Sequence, residues 1–175
     1  QGKNAAGENV EGKVAYYEYL AVTNRHVVAT SKNTITNNLL VYVGNDKTMI
    51  SSEVVAYSDK EDLALISFKS SIYIPVATLA DTTNLKRGSF VVAIGTPYDI
   101  EFSGTTTFGI VSYPLRYLEE EVFVLGRDSY QTCEVGYIQH DASINSGNSG
   151  GGLFDMEGNL LASAEAVYYK LPLDK

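Results

Sequence analysis

No stretch of this chain carries apolar residues at the three- and four-residue spacing of an amphipathic helix. Val, Ile, Thr and Tyr gather instead in short runs, which turn-forming residues separate. The runs that we predict as strands are 14–22, 39–43, 50–57, 63–66, 90–95, 105–112, 135–140, 151–155 and 160–169. One short helical turn is expected at 26–29. Many short strands with turns between them predict an all-β barrel or sandwich.

The length of the chain sets how these strands can be grouped. Its 175 residues, 45% of them hydrophobic, suffice for one all-β domain or for two small barrels that share an interface. The segment from about 80 to 88 is polar and turn-like. We therefore predict a junction between two halves there, with residues 1–80 before it and residues 81–175 after it.

Composition argues against several classes of function. The formal net charge is -8, and no dense cluster of Lys and Arg offers a face for nucleic acid. The single cysteine, Cys133, excludes a disulfide within the chain and is expected as a half-buried strand residue; no Cys/His cluster suggests a metal site. We expect no metal and no cofactor. No apolar run approaches the roughly 20 residues that span a bilayer, so no membrane segment is expected in this chain.

The strongest local signal is a serine set among glycines, in the run NSGNSGGGL at 145–153. A serine hydroxyl needs a base to take its proton and donors to hold the developing oxyanion. Gly147 lets the backbone turn so that its N–H and that of Ser149 can point into one pocket. A flexible Gly/Ser loop is the alternative interpretation, although this run lies between two apolar strands.

The chain has two histidines that could serve as the base. His26 follows a strand, where its side chain can reach a cleft. His140 lies within a predicted strand, close in sequence to Ser149. We therefore expect His26 to be the base and His140 to be a half-exposed strand residue beside Asp141.

Asp62 stands at the mouth of the apolar run 63–66. Burying a carboxylate there is costly unless it is hydrogen-bonded. An imidazole N–H is a suitable partner, and the carboxylate would in turn fix the tautomer of the imidazole ring. A surface acid capping a strand is the alternative. The joint order of His26, Asp62 and Ser149, each at a strand edge, is more specific than any one signal, and it is the order found in chymotrypsin.

These motifs resemble the HtrA (DegP-like) branch of the trypsin-like serine proteases. The resemblance is carried by TNRHVV at 23–28, EDLALI at 61–66, VVAIGTP at 91–97, FGIVS at 108–112 and IQHDASINSGNSGGGLF at 138–154. It implies a chymotrypsin-like fold of two six-stranded β-barrels that together form one protease domain, with no PDZ domain in this chain. It also implies a serine endopeptidase that cleaves unfolded or misfolded polypeptides through an acyl-enzyme, in protein quality control.

The same resemblance assigns roles to residues. His26 is implied as the general base, Asp62 as its orienting carboxylate and Ser149 as the nucleophile. The backbone of Gly147, Asn148 and Ser149 is implied as the oxyanion hole.

Further expectations concern substrates and assembly. By resemblance, the substrate pocket is formed by Ile144, Val167 and Tyr168, and apolar side chains should be preferred because no acid lies at its base. An extracytoplasmic location and a homotrimer are also implied. The segment 114–132, rich in acids and aromatics, is expected as a solvated surface loop or as a regulatory loop that packs toward Gly147 and Asn148 only when substrate or a partner binds.

Two other classes of function compete with the endopeptidase. The same barrels could form a non-catalytic, substrate-binding or chaperone-like module, although all three triad residues are present. An unrelated β-sandwich with chance motifs is the third interpretation.

Overall fold

The structure is a computed structural model that describes residues 2–3, 7–10, 16–30, 34–36, 38–43, 48–124 and 129–163. Short 3₁₀ turns occupy Arg25–Val28, Thr82–Asn84 and Ile100–Phe102. The strands are β1 (Gly2–Lys3), β2 (Asn9–Val10), β3 (Tyr17–Asn24), β4 (Leu39–Val43), β5 (Thr48–Ser58), β6 (Leu63–Ser70), β7 (Phe90–Gly95), β8 (Thr105–Val124), β9 (Ser129–His140), β10 (Gly152–Phe154) and β11 (Leu160–Ser163).

These strands form antiparallel sheets, which confirms the all-β prediction. The first half holds a four-stranded sheet in the order β3-β6-β5-β4, and the second half holds a five-stranded sheet in the order β11-β10-β7-β8-β9. A separate pair joins β1 to β2. Within the described residues the two main sheets thus have four and five strands, compared with the six expected for each barrel.

The register of β3 on β6 positions the candidate site. The pairing runs from Tyr17 opposite Ser70 to Asn24 opposite Leu63. Inward residues of this sheet pack on a small core of Val28, Ala64 and Ile66, because side chains alternate between the faces of a strand. The end of β3 therefore lies beside the start of β6, which brings the segments that carry His26 and Asp62 together.

The second sheet has its own core. Val91 and Val111 are fully buried, and Ala93, Ala142 and Leu153 complete the cluster. The same period-two alternation leaves intervening residues such as Phe90 outside. Since β10 pairs with β7 through Leu153 opposite Ala93, the segment that precedes β10 lies at one end of this sheet.

The segment between the two sheets is tied to the second one. The N–H of Ala80 donates to the Leu160 carbonyl at 2.9 Å, and the N–H of Leu160 donates to the Thr78 carbonyl at 2.7 Å. The boundary at residues 80 and 81 stays a prediction.

The segment 114–132 differs from the expected loop. Within it β8 continues to Val124 and β9 begins at Ser129, so most of the segment is a long two-stranded hairpin. The acids suggested a solvated loop, but they alternate along the strand: Glu119 and Glu121 are exposed and Glu120 is half-buried. Cys133 lies half-buried in β9 as predicted, opposite Glu120.

Some predicted features fall outside the described residues. They are the turn at 44–46 and the end of the last predicted strand, 164–169. Among the residues that the structure describes, no helix has the length and apolar character needed to cross a membrane.

Candidate active site

His26 and Asp62 form a doubly hydrogen-bonded couple. His26 lies in the 3₁₀ turn that follows β3, and its Nδ1 is 2.6 Å from Oδ2 of Asp62. The backbone N–H of His26 donates to the other carboxylate oxygen, Oδ1, at 2.9 Å. The carboxylate thus fixes both the position of the residue and the orientation of its ring. A carboxylate that accepts from Nδ1–H leaves Nε2 as the basic nitrogen.

The backbone of Asp62 is held as firmly as its side chain. Its φ of 49° lies in the left-handed region, which is uncommon for residues other than glycine. The carbonyl of Asp62 accepts from the Arg25 N–H at 2.8 Å and from Nδ2 of Asn24 at 3.0 Å. Strained conformations of this kind persist only where several contacts with the surrounding structure hold them. The segment 24–26 supplies that constraint.

Ser149 lies in a run of tight turns before β10. The N–H of Tyr98 donates to the Ser146 carbonyl at 2.8 Å, and the N–H of Gly151 donates to the Asn148 carbonyl at 2.8 Å. Gly147 has a φ of 96°, and a Cβ there would come within 2.6 Å of the Thr96 carbonyl oxygen. The glycine is thus needed both for its backbone conformation and for the close approach of the 96–98 segment.

The turn that carries Ser149 docks on the end of β3. The N–H of Gly150 donates to Oδ1 of Asn24 at 2.5 Å. Asn24 precedes His26 by two residues in the sequence. Ser149 is half-buried there. Among the described residues no hydrogen bond joins Oγ of Ser149 to the His26 ring. Catalytic hydrogen bonds are often long in the absence of substrate and tighten when it binds.

Gly150 packs closely against the end of β3, and this gives a first prediction. Its φ is 84°, and a Cβ on it would collide with Oγ1 of Thr23. We expect Gly150→Ala to lower the free energy of unfolding by at least about 2 kcal/mol and kcat by at least about 10-fold, since strain and overlap add. Urea denaturation and hydrolysis of a peptide substrate would measure both.

Gly158→Ala is the matched control for this change. Gly158 has nearly the same φ, 83°, but a Cβ there would meet nothing within 4 Å. Gly158→Ala should lower the free energy of unfolding only by the backbone strain, about 1–2 kcal/mol, and leave kcat unchanged. Equal kinetic losses in the two variants would show that the contact of Gly150 with Thr23 is unimportant.

The candidate oxyanion donors are not equivalent. The N–H of Asn148 donates to the Asn145 carbonyl at 3.0 Å and is therefore engaged inside the turn. The Asn148 side chain is buried, only 4% exposed, against Gly95, where a Cβ would come within 2.6 Å of its Oδ1. This geometry leaves the N–H groups of Gly147 and Ser149 as the better candidates from the predicted set.

The long hairpin of β8 and β9 lies beside the His26–Asp62 couple. A cleft of ≈ 250 Å³ is lined by both residues and by hairpin residues that include Glu120 and Phe123. The ring of Phe123 packs edge-on against Tyr130, with centroids 5.2 Å apart. The place of this segment beside His26 was not predicted, and its packing toward Gly147 and Asn148 when substrate or a partner binds stays a prediction.

The three predicted substrate-pocket residues have different outcomes. Ile144 is half-buried and packs against the core of the second sheet. Val167 and Tyr168 lie outside the described residues. The pocket therefore stays a prediction.

His140, the second histidine, lies in β9 and borders a cavity between the two halves. It is half-buried, and its Nδ1 is enclosed by the protein. Burial lowers the pKa of His140 below its ordinary value, against smaller opposing effects of the Ala142 backbone and the Asp141 charge.

This lowered pKa predicts an acid-sensitive contribution to stability. Below the ordinary histidine pKa of about 6.5, the unfolded chain binds a proton that the folded chain takes up only at lower pH. Stability is therefore complete above that value and falls as the pH drops below it. We expect His140→Gln to lose less Tm than the wild type between pH 7.5 and pH 5. Equal losses in the two proteins would contradict this.

Sequence reasoning missed two parts of the site. Asn24 was included in the family motif but received no role, although it contacts the segments of both Asp62 and Ser149. The hairpin residues that line the cleft beside His26 were the second omission. For Asn24, the only local signal was its position two residues before a candidate base.

Most of this chain is similar in sequence to other proteins. A family model of the trypsin-like peptidase domain matches residues 10–162. Serine protease Do-like HtrA of Lactococcus lactis subsp. lactis (strain IL1403) is 32% identical over 163 residues, which cover 93% of this chain and 37% of that protein. Probable periplasmic serine endoprotease DegP-like of Hahella chejuensis (strain KCTC 2396) is 31% identical over 96% of this chain and 32% of its own length.

Solved structures agree with these relatives. The HtrA-type protease AlgW with decapeptide matches with a TM-score of 0.64 and 30% sequence identity, over 86% of this chain and 41% of that one. The chain thus spans less than half the length of these relatives. The chymotrypsin-like fold and the resemblance predicted from the motifs are confirmed. The chain belongs to the trypsin-like serine peptidase family, and within it to the HtrA branch.

Proposed function

We propose that this chain is the peptidase domain of a serine endopeptidase that works through an acyl-enzyme, with His26, Asp62 and Ser149 as its catalytic triad. The observation that carries the proposal is the His26–Asp62 couple, joined by contacts of 2.6 and 2.9 Å at the end of β3. The glycine-rich turn with Ser149 docks beside that couple through the Gly150–Asn24 hydrogen bond.

Acylation follows from this arrangement. Asp62 accepts from Nδ1–H of His26, so Nε2 carries the lone pair that takes the proton of the Ser149 hydroxyl. As that proton leaves, Oγ attacks the carbonyl carbon of the scissile peptide. The N–H groups of Gly147 and Ser149 would then donate to the oxyanion of the tetrahedral intermediate. The C–N bond breaks when Nε2–H returns the proton to the departing amine.

Deacylation repeats these steps with water in place of the hydroxyl. Nε2 takes a proton from water, whose oxygen attacks the ester carbon of the acyl-enzyme. Collapse of the second tetrahedral intermediate returns the proton to Oγ of Ser149 and releases the new carboxylate.

Similarity suggests the wider setting of this activity. We place the protein outside the cytoplasm, because the similar protein of Hahella chejuensis is named a probable periplasmic serine endoprotease. The substrates would be polypeptides, since a structure with a bound decapeptide is known for the related AlgW. The preference for unfolded or misfolded polypeptides rests on the resemblance to the HtrA branch. The two-barrel division at residues 80 and 81, the homotrimer and an apolar substrate pocket at Ile144, Val167 and Tyr168 belong to the same proposal.

Labelling with an organophosphonate tests the proposed chemistry directly, because the probe needs an activated serine but no specific substrate. We expect a single adduct, mapped to Ser149 by mass spectrometry, together with cleavage of unfolded casein that the probe blocks. A protein that binds casein but takes up no probe would support the non-catalytic module instead.

A further inference from the structure

One buried amide connects the three segments that carry the candidate triad. Asn24, the last residue of β3, is 2% exposed. Its Nδ2 donates to the Asp62 carbonyl at 3.0 Å, and its Oδ1 accepts from the Gly150 N–H at 2.5 Å. A third, longer contact comes from Oγ of Ser163 to Oδ1 at 3.4 Å. The orientation of the amide is fixed by chemistry, because a carbonyl can only accept and an N–H can only donate.

We propose that Asn24 is a positioning residue of the active site, which sets the separation between the Ser149 turn and the His26–Asp62 couple. This rests on the proposed function above. Gly150 follows the nucleophile directly, and Asp62 holds the ring of the base. The amide of Asn24 therefore links the segment of the nucleophile to the segment that holds the base, and the proton must pass between these two residues.

The conformations at the two ends of the amide explain why such a link is needed. Asp62 has a φ of 49° and Gly150 a φ of 84°, so both backbones lie in the left-handed region. Hydrogen bonds from their neighbours hold such segments in place. Without the amide, the Asp62 carbonyl would keep its bond from the Arg25 N–H, but the Gly150 N–H would lose the partner that Asn24 provides. The Ser149 turn would then be the freer of the two.

Few side chains other than asparagine can fill this position. It needs a donor and an acceptor on one short, buried group, pointing to opposite sides. Leucine has nearly the same shape and can make neither bond, so the Asp62 carbonyl would keep only its bond from the Arg25 N–H, and the Gly150 N–H would lose the acceptor that Asn24 provides. Asn24→Leu therefore separates the hydrogen bonds from the packing.

The test compares kinetic constants in Asn24→Leu and wild type. We expect kcat to fall about 10- to 100-fold with KM within about threefold, because a displacement near 1 Å slows the chemical step more than it weakens substrate binding. The rate at which an organophosphonate labels Ser149 should fall in parallel. Asn24→Ser, whose hydroxyl can still donate and accept, should lose less, and it decides the question if Asn24→Leu does not fold.

Two controls separate positioning from stability. Ser163→Ala removes the 3.4 Å contact to Asn24 and an equally long one, 3.5 Å, to the Gly151 carbonyl. Both are weak, so kcat should stay within about twofold of wild type. Ile66→Val, in the core of the first sheet, should lower Tm by about 2–4 °C with unchanged kcat. An unchanged kcat in folded Asn24→Leu and Asn24→Ser would overturn the inference, as would an equal loss of kcat in Ile66→Val. A wild type that neither cleaves casein nor takes up the probe would instead refute the proposed function.

Discussion

Ser149→Ala is expected to lower kcat by about a millionfold, as removal of the nucleophile does in a triad that acts as one unit. The change deletes one hydroxyl from a half-buried side chain, and no hydrogen bond of that hydroxyl to another described residue is lost. The fold and the affinity for substrate should therefore persist. Steady-state hydrolysis of a peptide substrate gives kcat and KM, and a thermal melt verifies the fold.

His26→Ala should be about as severe, and the double variant should be hardly worse than either single one. Removing the base leaves Oγ protonated, so the hydroxyl that remains contributes little. Additive losses in the double variant would mean that the two residues act independently, which would contradict the proposed mechanism.

Ser146→Ala is the matched control for the nucleophile. Ser146 is an exposed serine of the same glycine-rich turn, and its backbone carbonyl, which accepts from the Tyr98 N–H, would remain. It should keep kcat within about twofold of wild type. Substantial turnover by Ser149→Ala, or a comparable loss in Ser146→Ala, would place the nucleophile elsewhere.

The parts of this site that the sequence predicted are those with a local signal. The turn after β3 and the position of His26 follow from a strand that leads into TNRHVV at 23–28. The strand β6 follows from the apolar run after Asp62. The pairing of β3 with β6 then joins the two residues. Local motif order was sufficient for this contact because His26 follows the end of β3 and Asp62 precedes the start of β6.

Contacts between distant segments had no such local signal. The amide of Asn24 contacts Gly150, more than a hundred residues away in the sequence, and nothing in the residues near Asn24 indicates this partner. The hairpin of β8 and β9 was missed for a different reason. Its acidic residues suggested a solvated loop, whereas cross-strand pairing with β9 stabilises an extended conformation for them.

Asp62→Asn is the second change with a large expected effect, a fall in kcat of about 10⁴-fold. The reason lies in the two contacts of the carboxylate. Oδ1 accepts from the backbone N–H of His26, and Oδ2 contacts Nδ1 of the ring. Asparagine has one carbonyl oxygen and one NH₂ group, so only one of these two positions can be an acceptor.

The backbone N–H of His26 can only donate, and it therefore decides how the new amide is oriented. The carbonyl oxygen must face that N–H, which leaves the NH₂ group facing Nδ1. Nδ1 then becomes the acceptor, and the ring proton moves to Nε2, where the lone pair is needed for the Ser149 proton. The variant thus keeps the geometry of the site and loses its base.

The measurement is kcat of Asp62→Asn on a peptide substrate, with a thermal melt to verify that the fold is retained. Glu61→Gln is the matched control, because it removes one negative charge from the neighbouring exposed side chain, whose carboxylate bonds to Ser58 and not to His26. It should keep kcat within about twofold of wild type, since changes at exposed sites have small effects. If folded Asp62→Asn kept more than about a tenth of wild-type kcat, the tautomer of His26 would not limit the rate. Asp62 would then have only a structural role in the turn that it shares with Asn24 and Arg25.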